Sequence, residues 1–111
     1  MALEIQRGDV VVCALKGDYG KARPAVVIQS DLFNATHASI VICPITSHLV
    51  DTPLFRLQLS SAQANGLQKE SQIMVDKISA IQTEKIQQKI GALSVHEMQS
   101  LDNALKLWLN L

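Results

Sequence analysis

Residues 10–29 read Val-Val-Val-Cys-Ala-Leu-Lys-Gly-Asp-Tyr-Gly-Lys-Ala-Arg-Pro-Ala-Val-Val-Ile-Gln, two apolar runs separated by a polar, glycine-containing stretch. β-Branched side chains dominate both runs, which have strand length and no polar face, the pattern of central strands covered on each side. Gly17 and Gly20 permit a hairpin-type loop between them, and Pro24 pins the start of the second strand. Arg23 ends that loop against a rigid element, so its planar guanidinium is offered outward from a fixed base, which suits phosphate recognition. The simpler reading of Arg23 is a surface arginine paired with Asp18 or Asp31.

The same grammar continues outward. Ser39-Ile-Val-Ile-Cys-Pro44 is a third central strand, whereas residues 54–59 alternate, with Phe55, Leu57 and Leu59 facing one way and Arg56 and Gln58 the other. Residues 73–75 and 78–81 supply another strand or a bent pair. Residues 60–66, Ser-Ser-Ala-Gln-Ala-Asn-Gly, read as a helical turn or two closed by an Asn-Gly stop. Near the end, Ser94-Val-His-Glu97 is a capping box, Leu93 and Met98 fit a hydrophobic staple, and Met98, Leu101, Leu105 and Trp108 follow at helical spacing. A C-terminal helix follows, with Trp108 in its apolar stripe. Leu107, Leu109 and Leu111 lie off that stripe and leave a face for a second copy of the chain.

Composition narrows the function. The 111 residues carry ten basic and ten acidic side chains, 48% apolar and 18% charged residues, which fits a single folded domain over 1–111. A disordered chain and a polybasic arm are both excluded, so any nucleic-acid contact must be local. No run approaches the roughly 18 apolar residues of a membrane span and the N-terminus has no leader pattern, so the expected location is the cytoplasm. Cys13 and Cys43 sit inside apolar runs and read as buried thiols rather than a disulfide. His37, His48 and His96 lie in different segments without ligand spacing, and no phosphate-cradling glycine motif is present, so neither metal nor cofactor is expected. Thr46 and Ser47 end a buried strand, where hydroxyls usually satisfy turn backbone. Asp76, inside an apolar stretch, is either partly buried and paired with Lys or Arg or a titratable group of a site.

Five blocks in series carry a resemblance: Arg7-Gly-Asp-Val-Val11, Gly20-Lys-Ala-Arg-Pro-Ala-Val-Val-Ile28, Cys43-Pro-Ile-Thr-Ser47, Gly66-Leu-Gln-Lys-Glu-Ser71 leading into Val75-Asp-Lys-Ile78, and Gly91-Ala-Leu-Ser94 before Ala104-Leu-Lys-Leu107. In this order the chain resembles the MazF/PemK (Kid-like) toxins of type II toxin–antitoxin systems over nearly its whole length. The resemblance implies a compact SH3-like β-barrel with a C-terminal α-helix, acting as a homodimer that cleaves single-stranded RNA without a metal and is held by a small acidic antitoxin. In that chemistry a ribose 2′-OH attacks the adjacent phosphorus, leaving a 2′,3′-cyclic phosphate and a 5′-OH end.

Carried onto this sequence, Arg23 matches the family's R-P arginine and would stabilise the phosphorane or protonate the leaving oxygen. Thr46 matches the strand-end hydroxyl that binds the scissile phosphate, and Asp76 the aspartate that some Kid-like members use as base. Those members place an arginine two residues before that aspartate, where this chain has Met74, and a histidine in the first loop, where residues 16–22 have none. Lys21 or Lys77 would then supply positive charge, and RNA would be read by residues 16–22 and 48–53, with Lys16, Ser47 and His48 among the contacts. Two other readings use the same fold: a gyrase poison of the CcdB type, and a non-enzymatic adaptor barrel.

Overall fold

The computed structural model describes residues 4–15 and 21–111. The β-branched runs form β1 (Asp9–Ala14), β2 (Ala22–Val27) and β3 (Ser39–Thr46), joined between β2 and β3 by a one-turn helix, α1 (Asp31–Asn34). Then come β4 (Arg56–Leu59), β5 (Ser71–Met74), a 3₁₀ turn at Val75–Lys77, β6 (Ser79–Gln82), a second 3₁₀ turn at Thr83–Lys85, β7 (Ile86–Ala92) and the C-terminal α2 (Val95–Leu109). All ladders are antiparallel and run in the order β4-β5-β3-β2-β1-β7, with β6 also paired to β3. β3 is the shared spine. Its residues 39–42 pair with β6 and its last two, Ile45 and Thr46, with β5, so the sheet bends around β3 into the expected small barrel-like wrap.

Both faces of the central strands are buried, and the pleat sorts their side chains into two cores. Val10, Val26, Cys43 and Ile45 meet Leu101, Ala104 and Leu105 of α2, whereas Val11, Cys13, Ala25, Val27, Ile40 and Ile42 form a second cluster on the opposite face. Continuous apolar runs are the consequence of this double burial. Helix α2 begins as its sequence dictates: Ser94 Oγ accepts from the Glu97 N–H at 3.1 Å, and Glu97 Oε1 from the Ser94 N–H at 2.8 Å. Arg7 ties the helix down, donating to Asp102 at 2.7 Å and to the Ile28 carbonyl at 2.8 Å. Trp108 packs on Phe55 with ring centroids 5.4 Å apart but stays 46% exposed, so its stripe ends at the surface.

Two segments differ from a plain reading of the sequence. Residues 60–66 form no regular helix but keep one helical turn, the Gly66 N–H donating to the Ala62 carbonyl at 3.0 Å, while buried Asn65 donates to the Ser60 carbonyl and accepts from the Ala62 and Leu67 N–H groups. This segment closes the gap between β7 and β5, Ala92 N–H donating to the Ala64 carbonyl at 2.9 Å. The approach demands glycine: a Cβ on Gly66 would stand 2.3 Å from the Ile90 carbonyl oxygen, and one on Gly91 2.4 Å from that of Ala64. Strand β7 was not expected either, since Gln87, Gln88 and Lys89 are exposed and two register shifts against β1 break its period. Both cysteines are buried and neither is in a disulfide. Among the described residues no helix is long and apolar enough to cross a membrane.

Candidate functional site

The ladder itself assembles the site. Ala25 of β2 lies opposite Pro44 of β3, so Arg23, two residues before Ala25, and Thr46, two after Pro44, belong to the same sheet face. They share an open groove of about 710 Å³ with Ser47 and His48 on the same rim. The far wall carries Gln68 and Lys69 from the turn before β5 and Gln88 from β7, over an apolar floor that includes Val12, Ile45, Leu67 and Met74. Among the described residues, Arg23 and Lys69 are the groove's arginine and lysine, and no carboxylate lines it. That is a local positive field in a chain of zero formal charge.

Thr46 is also oriented. Its Oγ1 accepts the His48 backbone N–H at 3.0 Å, so the hydroxyl proton remains available to a ligand oxygen. Arg23 is exposed; of its two candidate partners from sequence, Asp31 accepts the Arg7 backbone N–H at 2.6 Å and Asp18 lies outside the described residues.

Asp76 lies elsewhere. It sits in the 3₁₀ turn after β5 and takes a bidentate clasp from Arg56, Nε at 2.7 Å and Nη2 at 3.1 Å. The hydrogen bond from Arg56 holds the Asp76 carboxyl below its ordinary range, with the Arg56 and Lys77 charges assisting and partial burial opposing. Arg56 is opposite Met74 in the β4–β5 ladder, so a neighbouring strand delivers an arginine beside the position where the Kid-like pattern has one. The carboxylate does not line the groove, whereas Arg56 borders a second one of about 560 Å³ with Thr52 and Gln72. Beneath the pair, burial first and the Asp76 charge second push the Cys43 thiol up to about 12, so this cysteine stays protonated at neutral pH.

The structure therefore brings Arg23, Thr46, Ser47 and His48 together and leaves Asp76, Lys77 and Lys21 outside the groove lining; Lys16 lies outside the described residues. Sequence reasoning had not assigned Arg56, Gln68, Lys69 or Gln88. Lys69 was visible inside the Gly66–Ser71 block, but Arg56 meets Asp76 only through strand register. Among the described residues no three His, Cys, Asp or Glu side chains gather to hold a metal.

The architecture is a bent, mainly β sheet capped by one C-terminal helix, with a groove bordered by Arg23 and Lys69 at the end of its central strands. The protein's sequence places it more narrowly. The chain belongs to the PemK-like, MazF-like toxins of type II toxin–antitoxin systems, whose family pattern matches residues 6–109. It is 35% identical over 108 residues to a Mycolicibacterium smegmatis protein named "Probable endoribonuclease MazF", covering 96% of this chain and 98% of that one. It is 38% identical over 94 residues to the Mycobacterium tuberculosis "Endoribonuclease MazF9", covering 80% and 79%. The fold matches MazF from Deinococcus radiodurans with a TM-score of 0.82 at 16% identity, over 98% of this chain and 99% of that chain. It also matches a mycobacterial endoribonuclease solved with its cognate antitoxin, with a TM-score of 0.81 at 19% identity over 97% of each chain.

Proposed function

We propose that this protein is the toxin of a type II pair and acts in the cytoplasm as a metal-independent endoribonuclease on single-stranded RNA. The observation that carries this reading is the groove: Arg23, the Thr46 hydroxyl and Lys69 border it, and no carboxylate among the described residues would repel a phosphate backbone. Relatives named as endoribonucleases, at 35% and 38% identity, support it. A 2′-OH displaces the 5′-oxygen at the adjacent phosphorus, and charge collects on the phosphorane oxygens. Arg23 meets that charge with a planar pair of donors and Thr46 donates to a non-bridging oxygen. Ser47 and Lys69 contact the strand beside the cut, while Lys21 and Lys77 act only through the field. The Asp76 carboxylate, already clasped by Arg56, holds that arginine rather than reacting.

The test is cleavage of a long mixed-sequence RNA by the purified protein in the presence of a chelator. Expected are new 5′-OH ends clustered at one short sequence, opposite 2′,3′-cyclic phosphates. Intact RNA would overturn the reading in favour of a gyrase poison or an adaptor.

The same reading includes two protein partners. Leu107 and Leu109 in the last turn of α2 and Leu111 just beyond it are exposed, apolar surface at this end of the chain that a second copy would cover. Sedimentation at micromolar concentration should give a species of twice 12.1 kDa; a 12.1 kDa species alone would count against the dimer. The other partner is an acidic antitoxin whose C-terminal segment orders over the groove. Solved relatives titled as MazE-MazF complexes from Deinococcus radiodurans support that partnership.

A further inference from the structure

Phosphate stabilisation is only half of the reaction, because the 2′-OH must also lose its proton, and the groove offers few groups able to take it. Arg23 and Lys69 are cations, the Thr46 and Ser47 hydroxyls are far too weak as bases, and among the described residues no Asp or Glu lines the groove. Asp76 is withdrawn by its two hydrogen bonds to Arg56. Among the described residues one lining side chain remains whose ring nitrogen carries a lone pair able to take a proton: the imidazole of His48.

Its position is set by the same contact that orients Thr46. The His48 N–H donates to Thr46 Oγ1 at 3.0 Å, which closes a tight turn at the end of β3 and keeps His48 in the groove lining two residues from the Thr46 hydroxyl. Among the described residues, the charged groups bordering the groove with it are Arg23 from β2 and Lys69 from the turn before β5; Asp51, three residues further on, borders the second groove instead.

We propose that His48 is the general base of the RNA cleavage read above, an inference that rests on that reading. A neutral ring nitrogen takes the proton from the 2′-OH as the O2′–P bond forms. The P–O5′ bond breaks with its electron pair on O5′, which takes a proton from a groove water. The imidazolium then returns its proton to the hydroxide so formed, and no metal, oxidant or reductant enters the balance.

Three measurements on the full-length protein test it. His48→Gln keeps a polar side chain but cannot shuttle a proton: kcat should fall by about 10²–10⁴-fold, the contribution typical of a positioned base, with KM within about threefold. His48→Ala should regain activity on addition of imidazole, in proportion to the basicity of substituted imidazoles. Because His48 is exposed, the melting temperatures of the variants should match the wild type. A His48→Gln enzyme with near-normal kcat, or one impaired through KM alone, would overturn the assignment while leaving the endoribonuclease reading intact. A wild-type protein that does not cut RNA would overturn both.

Discussion

Arg23→Ala should slow RNA cleavage by about 10²–10³-fold, the loss that follows removal of one preorganised donor from a developing oxyanion. The side chain is exposed at the groove rim, so folding stability should move by no more than about 0.5 kcal/mol. Kinetics and stability thus separate at this position. Arg23→Lys should recover little, because an ammonium supplies a point charge where the guanidinium supplies two parallel donors. If Arg23 served only to hold RNA in the ground state, KM would rise at constant kcat, and the loss would shrink at saturating substrate. The transition-state role requires kcat itself to fall. Near-normal cleavage by Arg23→Ala would remove the residue from the reaction.

The ease with which Arg23 is found and Arg56 is missed has one physical cause. Arg23, Pro24 and the apolar run behind them are contiguous, so their relation is written in the chain, as is the reciprocal pair Ser94 and Glu97 that starts α2. Double burial of β1, β2 and β3 likewise leaves a local mark in uninterrupted β-branched runs. Strand β7 leaves none: its middle faces water, its register against β1 slips twice, and only Ile86 is fully covered. Helix-forming composition in residues 60–66 yields a single helical turn, and buried Asn65, bonded to its neighbours' backbone, keeps it from becoming a regular helix. The Arg56–Asp76 clasp joins residues twenty positions apart, and only the β4–β5 pairing makes them neighbours. A period-two reading put Arg56 on the polar face, but could not say what it would meet there.

That clasp carries the second large effect, and it falls on stability. The two side chains retain only 13% and 17% of their exposure, so Asp76→Asn leaves the Arg56 guanidinium largely enclosed without its counter-charge. Losing one partner of a fully buried pair costs about 3–5 kcal/mol; with water still reaching the edge of this one, about 2–3 kcal/mol is expected. For a domain of this size that is a fall in melting temperature of roughly 10 °C. Below that temperature kcat should stay within about tenfold of wild type, since a lost general base would cost about 10²–10⁴. Replacing both residues, Arg56→Met with Asp76→Asn, should recover part of the stability, because no buried charge is then left alone. The pH dependence follows from the lowered Asp76 carboxyl. Its folded value lies below the unfolded one of about 3.9, so the pair's stabilisation is complete above that value and is lost as pH falls through the folded one. The gap in melting temperature between wild type and Asp76→Asn should therefore be constant above about pH 5 and close below about pH 4. A large loss of kcat at unchanged melting temperature would instead return Asp76 to the role of base and displace His48 from it.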